Sequence, residues 1–141
     1  MAVLPRAIFA SPLYLSQTGT PKSPADLAGR SVIVAPSRLG RSWSFRKDGK
    51  IVTVEVRGRL IVTFNEVGLA AAVAGLGLVS MTLGAARREL AEGLLVRVLP
   101  DWDMGDIELH AVFPAGKAAK PAARAFVDFL IAEFAMAPGL Q

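Results

Sequence analysis

Few residues of this chain could do chemistry, and most of their spacings fail. His110 is the sole histidine and falls in the strand-like run Ile107 to Phe113, with no acid at a spacing that marks a metal pair or a catalytic triad. It reads as an ordinary strand residue. Asp101, Asp103, Asp106 and Glu108 form an acidic cluster, but their spacing misses the Asp-x-Asp-x-Asp-Gly pattern of a calcium loop. A solvated loop is expected there. Gly75-Leu76-Gly77 follows a helical run and precedes an apolar one, the reverse of the order in a dinucleotide fingerprint, so it predicts a helix stop. The chain has no cysteine, which removes thiolate chemistry, disulfides and Cys-ligated zinc. No catalytic residue, metal or cofactor is expected, and an enzyme is disfavoured.

What remains is a binding site. Thr63-Phe64-Asn65-Glu66 has the spacing of a capping box, in which Thr63 and Glu66 satisfy each other's amides, so a helix is predicted to begin at Thr63 with free amides facing outward. The loop Pro36 to Ser42 offers hydroxyls together with Arg38 and Arg41. The two stretches could hold a carboxylate or a similar anion. A capped helix beside a solvated loop is an equal reading on residue chemistry alone, and Glu66 in the first turn weakens anion attraction.

The elements that must position these residues are those of an α/β domain. From Ile51 the chain reads as a β run, an uncharged Ala/Gly helix and a second apolar run, Leu78 to Met81: a β-α-β unit. Val52, Val54 and Val56 alternate with Thr53, Glu55 and Arg57, one face toward a core and one toward water. Gly58 interrupts that pattern as a bend or bulge would. The junction of strand and helix is where open α/β sheets bind ligands.

Elsewhere, Arg6 to Ala10 is a short strand ended by Ser11-Pro12, with Tyr14 and Leu15 following as an apolar anchor. Ser23-Pro24-Ala25-Asp26 starts a one-turn helix that Gly29 ends. Ser31 to Ala35 is an interior strand. Trp43 to Arg46 and Ile51 onward pair as a hairpin around Asp48-Gly49, with Trp43 and Phe45 packed on the core. Thr82 caps a short helix that Gly93 ends, Leu94 to Leu99 and Ile107 to Phe113 are strands, and a long helix runs from Pro121 with Ala123, Phe126, Val127, Leu130, Ile131 and Phe134 on one face.

At 141 residues the chain is one domain or part of one. Its 52% hydrophobic content and mean hydropathy of +0.44 are high, implying a large core or apolar surface that expects a partner. The start has too short an apolar run for a signal peptide, which makes the cytoplasm the expected compartment. Val67 to Ala86 is uncharged and long enough to span a membrane, but its glycines and alanines give weak hydropathy and Gly75-Leu76-Gly77 interrupts it, so a soluble α/β reading without membrane contact is favoured. Arg30 to Arg59 holds eight basic residues against two acids, whereas Glu89 to Glu108 holds six acids against Arg97. Such a two-ended charge suits an anionic ligand or a second copy better than nucleic acid, since no nucleic-acid motif accompanies it.

Six segments in order, ASPLYLSQTGTPKSPADLAGR, Trp-Ser-Phe before Asp-Gly, VEVRGRLIVTFNE, AAVAGLGL, EGLLVRVLPDW and PAARAFVDFLIAEF, resemble the later part of the effector-binding domain of LysR-type transcriptional regulators. The resemblance runs from about Leu4 to Phe134. It implies an α/β, type 2 periplasmic-binding-protein-like fold: one subdomain (about 11–106), two crossover strands (6–10 and 107–113) and the C-terminal helix (121–135) of the other subdomain. It also implies a small organic effector, anionic or aromatic, bound at Pro36, Ser37, Arg38, Thr63, Phe64 and Asn65. A homo-oligomer is implied, with DNA contacted only through a helix-turn-helix that this chain lacks. Without the rest of the first subdomain, the apolar face of the Pro121 helix is expected to stand exposed. The alternative is a free-standing small-molecule binding protein of the periplasmic type, which the want of a signal peptide disfavours.

Overall fold

A computed structural model describes residues 2–34, 41–114, 116 and 120–136. Strand β1 (Ala2–Ala10) leads into helix α1 (Pro12–Thr18), a single 3-10 turn (Pro24–Leu27) and β2 (Ser31–Val34). A hairpin of β3 (Ser42–Lys47) and β4 (Lys50–Glu55) follows, then β5 (Arg57–Ile61), α2 (Asn65–Val73), β6 (Leu78–Thr82) and α3 (Arg87–Ala91). The chain closes with β7 (Val96–Val98), β8 (Asp106–Leu109) and α4 (Pro121–Met136).

The main sheet has the order β5-β2-β6-β1-β7, with β8 paired to the other half of β1. β2 is parallel to both β5 and β6, so β5-α2-β6 is the expected β-α-β unit with β2 lying between its strands. β1 runs antiparallel between β6 and β7 through Arg6–Ala10, and its first residues, Ala2–Pro5, pair with β8. Two cores result. Ile8, Ala10, Val32, Val34 and Leu78 pack with Tyr14, Leu27, Trp43 and Phe45 on one face of the sheet, whereas Ala7, Phe9, Ile33, Val79 and Met81 pack with Ala71, Ala72, Ala86 and Leu95 on the other.

Local chemistry explains most elements. The hairpin turns at Asp48 (φ 51°) and Gly49 (φ 75°), both in the left-handed region that a tight β-turn of this hand requires. It lays Trp43 and Phe45 on the core while Ile51 stays exposed. Behind it, Trp102 packs at the edge of that core under Lys47, whose ammonium lies 5.4 Å from the indole centroid. In the 3-10 turn, the Asp26 carboxylate accepts from the amides of Lys22 (2.8 Å) and Ser23 (2.9 Å), which hold its pKa below the usual value. Helix α2 approaches the sheet closely because its contacting residues are Gly68, Ala71 and Ala72, all buried. A Cβ at Gly68 would stand 3.3 Å from Val62 Cγ2.

Several sequence expectations need correction. Ser11-Pro12 does end β1, but it also starts α1, with the Ser11 hydroxyl accepting from Tyr14 N at 3.1 Å. The same Ser-Pro signal read as a helix start at Ser23-Pro24 applied here too. The run from Ile51 to Thr63 is two strands in two sheets, and it breaks at buried Val56, whose amide donates to Arg41 O (2.8 Å). Gly58 does mark a bulge: the β2–β5 register skips Arg59. Pairing also begins earlier in β1 than Arg6, and β8 stops at Leu109, which leaves His110 beyond the strand. The uncharged stretch Val67 to Ala86 is a nine-residue helix, a turn and a strand, and no described helix is long and apolar enough to cross a membrane.

The Pro121 helix forms where periodicity predicts it, yet it buries nothing completely. It touches β1 with Val127, Leu130 and Phe134 half-buried, while Phe126 and Phe129 remain 60% and 58% exposed. Val3, Ile107 and Leu109 on the β1–β8 pair are exposed as well. Apolar surface of this kind favours association. The chain is therefore expected to self-associate, and the Phe126→Glu, Phe129→Glu double variant to shift it toward monomer in sedimentation velocity. A strictly monomeric parent would show that this surface needs no cover.

Gly77 is the tightest backbone position described. Its φ is +154°, and a Cβ there would meet the Ser31 carbonyl, which is not free to move because it lies at the start of a central strand. Gly77→Ala should cost about 2 kcal/mol or more in urea unfolding, whereas Gly93→Ala, at φ +70° with open space around it, should cost roughly 1 kcal/mol. Equal losses would show that the close approach to Ser31 is unimportant.

Candidate functional site

The carboxyl ends of β2, β5 and β6 point to one edge of the sheet, and the sheet-paired half of β1 begins there, with Arg6 opposite Thr82. After β5, the Val62 amide donates to Val34 O at 2.9 Å, which keeps the connection against the end of β2. The next three residues are Thr63, Phe64 and Asn65. All are exposed, Phe64 by 67%. The structure thus places these predicted residues at the expected edge, beside the last described residue of β2. Pro36, Ser37 and Arg38 lie outside the described residues.

The capping box does not form. Helix α2 begins at Asn65, its N-cap is Phe64 with φ −107° and ψ 135°, and no side chain caps it. The first helical bond runs from Gly68 N to Phe64 O at 3.2 Å. This one-residue displacement puts Glu66 at the second helical position instead of the third, so Thr63 and Glu66 cannot reach each other's amides in the reciprocal way the spacing suggested. Packing decides the start: buried Gly68 sets the helix against Val62, Val79 and Ile33. The amides at the helix start consequently have no side-chain cap and face the sheet edge.

The structure adds a group to this edge that sequence reasoning missed. Arg6, half-buried, donates from Nη2 to Ser80 Oγ at 2.9 Å, and the Ser80 hydroxyl lies 3.8 Å from Met104 Sδ. Its backbone amide donates to Gly105 O at 3.2 Å. Cross-strand register puts Arg6, Ser80 and Thr82 on the same sheet face as Ile8 and Leu78, where the apolar core gives way to the edge. Burial lowers the pKa of the guanidinium from its ordinary value. A signal was present in the sequence: Arg6, Ile8 and Ala10 alternate on one face, and a charge on the inward face of a strand is unusual. Beside Met104 and Gly105, a shallow depression continues between the hairpin and the 101–105 loop, lined also by Phe45, Arg46 and Asp103.

The other candidates do not converge. His110 Nε2 lies 2.9 Å from Glu108 Oε2 with both side chains exposed. Asp103 uses its backbone to bridge Arg46, and its carboxylate accepts from the Gly105 amide at 2.8 Å, so the acidic loop is a turn that supports the hairpin. Among the described residues no cluster of three or more His, Cys, Asp or Glu could hold a metal.

A polar strip at the carboxyl edge of a two-cored α/β sheet is a place to bind a small molecule. The family model of the LysR substrate binding domain matches residues 3–135. The chain belongs to this family. Among curated relatives it is 38% identical over 130 residues to the probable HTH-type transcriptional regulator LtrA of Klebsiella pneumoniae, covering 87% of this chain and 41% of that protein. It is 30% identical over 123 residues to the HTH-type transcriptional regulator PtxR of Pseudomonas aeruginosa, covering 86% and 39%. The chain thus spans about two fifths of the length of these relatives. Among solved structures, it superposes on full-length AphB, the Vibrio cholerae virulence activator, with a TM-score of 0.75 at 26% identity, covering 94% of this chain and 46% of that one. CrgA of Neisseria meningitidis gives 0.71 at 26% identity, covering 93% and 45%. The fold is accordingly the periplasmic-binding-protein-like α/β fold of LysR regulatory domains. The match leaves no room within these residues for a helix-turn-helix.

The displaced cap has a measurable consequence. Supplying an oxygen at the true N-cap, by Phe64→Ser, should stabilise α2 by about 1 kcal/mol in urea unfolding, whereas Thr63→Ala should change stability by less than about 0.5 kcal/mol. A large loss in Thr63→Ala would restore the capping box.

Proposed function

We propose that this chain is the ligand-sensing part of a LysR-type transcriptional regulator, binding a small organic effector along the carboxyl edge of β2, β5 and β6. The observation that carries the reading is the exposed, side-chain-uncapped start of α2 at Thr63, Phe64 and Asn65, held against the end of β2 in a chain of the substrate-binding family. Free amides there suit an anionic group, and exposed Phe64 suits an apolar or aromatic body. Pro36, Ser37 and Arg38 would supply the facing wall. The chain acts by binding and not by catalysis, in the cytoplasm, and reaches DNA only through a helix-turn-helix outside these residues.

In this reading residues 11–106 form one subdomain, the strands around 6–10 and 107–113 cross to the other, and the helix over 121–135 packs on that other subdomain. The exposed face of α4 then meets the remainder of an effector-binding domain or a second copy of the chain. The test is a thermal-shift screen of small carboxylates and aromatics against the chain and its Asn65→Ala and Phe64→Ala variants. A true effector at about a hundred times its dissociation constant should stabilise the parent by about 2.7 kcal/mol and the variants by clearly less. Stabilisation that survives both substitutions unchanged would place the ligand elsewhere.

A further inference from the structure

Among the described residues no acid pairs with Arg6. Its only side-chain partner among the described residues is the Ser80 hydroxyl, and neither described ion pair involves it. Residues 1, 35–40, 115, 117–119 and 137–141 contain no aspartate or glutamate, so none of them supplies an acidic side chain either. A half-buried guanidinium normally has a carboxylate partner, because it gives up much of its hydration and has five N–H donors to satisfy. Here one donor is used by a neutral hydroxyl, which also fixes the direction of the side chain on β1.

The position of this group matters as much as its charge. Arg6 stands opposite Thr82 where β6 ends, on the same edge as the start of α2, and on the sheet face where Ile8 and Leu78 close the core beneath it. From Met104 and Gly105, which touch Ser80 and the Arg6 backbone, the depression beside the hairpin opens outward. We propose that Arg6 is the anion anchor of the effector site, its free guanidinium face taking the carboxylate of a small organic acid while Ser80 holds it in position. This rests on the effector-binding reading of the same edge, and adds the charge of the ligand and the residue that reads it. A carboxylate supplies the missing acid, and its paired oxygens match the guanidinium fork.

The test uses the 141-residue chain labelled with nitrogen-15, titrated with sodium benzoate or with benzamide, its neutral isostere, at constant ionic strength and pH 7. Benzoate should shift the Arg6 Nε–H resonance and the amides of Thr63, Phe64 and Asn65, with benzamide binding roughly tenfold or more weakly. Arg6→Gln should abolish the preference for benzoate while leaving the amide spectrum otherwise dispersed as in a folded chain. Ser80→Ala, which keeps the charge and loses its support, should weaken benzoate a few-fold and spare benzamide. Shifts at Thr63 to Asn65 with none at Arg6, or a benzoate preference unchanged in Arg6→Gln, would overturn the anchor and leave the site standing. Shifts at neither place would overturn both.

Discussion

The structure depends on β1 being one strand with two sets of partners. Arg6 to Ala10 fill the slot between β6 and β7, which removes an edge from each, and their side chains alternate between the two cores, Ile8 and Ala10 to one face, Ala7 and Phe9 to the other. Ala2 to Pro5 leave that sheet and pair with β8. The change of partner falls at Pro5 and Arg6. Pro5 has no amide to donate, but its carbonyl accepts from Leu83 N at 2.9 Å, and the Arg6 amide turns to Gly105 O. A residue with a missing donor thus sits where the ladder has to change.

Around this strand the packing is unequal. On one side of the sheet, small residues of α2 allow a close approach; on the other, Trp43 and Phe45 of the hairpin close the core with large buried aromatics. Helix α4 touches β1, and it buries nothing fully. The high hydrophobic content of the chain is therefore divided between two dense cores and one thin, exposed region.

The same strand brings polarity to the edge. Where the inward face of β1 passes from Ile8 to Arg6, its neighbour on β6 passes from Ser80 to Thr82, so core gives way to polar groups at the height where β2 and β5 also end. Parallel strands with their carboxyl ends together collect loops at one edge, and a ligand there meets residues distant in sequence. Arg6 and Thr82 come together by topology alone, and Thr63 lies on the same edge beyond the end of β5.

How much of this was legible in the sequence depends on whether the signal is local. The β-α-β unit, the Asp48-Gly49 hairpin and the helix from Pro121 follow from short-range periodicity and turn chemistry, which act within a few residues and need no partner, whereas the exposure of that helix's apolar face was expected only from the family resemblance. The edge carrying Thr63 to Asn65 was legible for the same reason, as the junction of a strand with a helix. Tertiary packing decided the remainder. The fit of Gly68 against Val62, Val79 and Ile33 moved the start of α2 past Thr63 and undid a capping box that spacing alone supported. Burial of Val56 divided one apparent strand between two sheets. Arg6 reads as a charge at the start of a short strand until Ser80, 74 positions later, is brought beside it, with no described ion pair to it, and only the pairing of β1 with β6 does that.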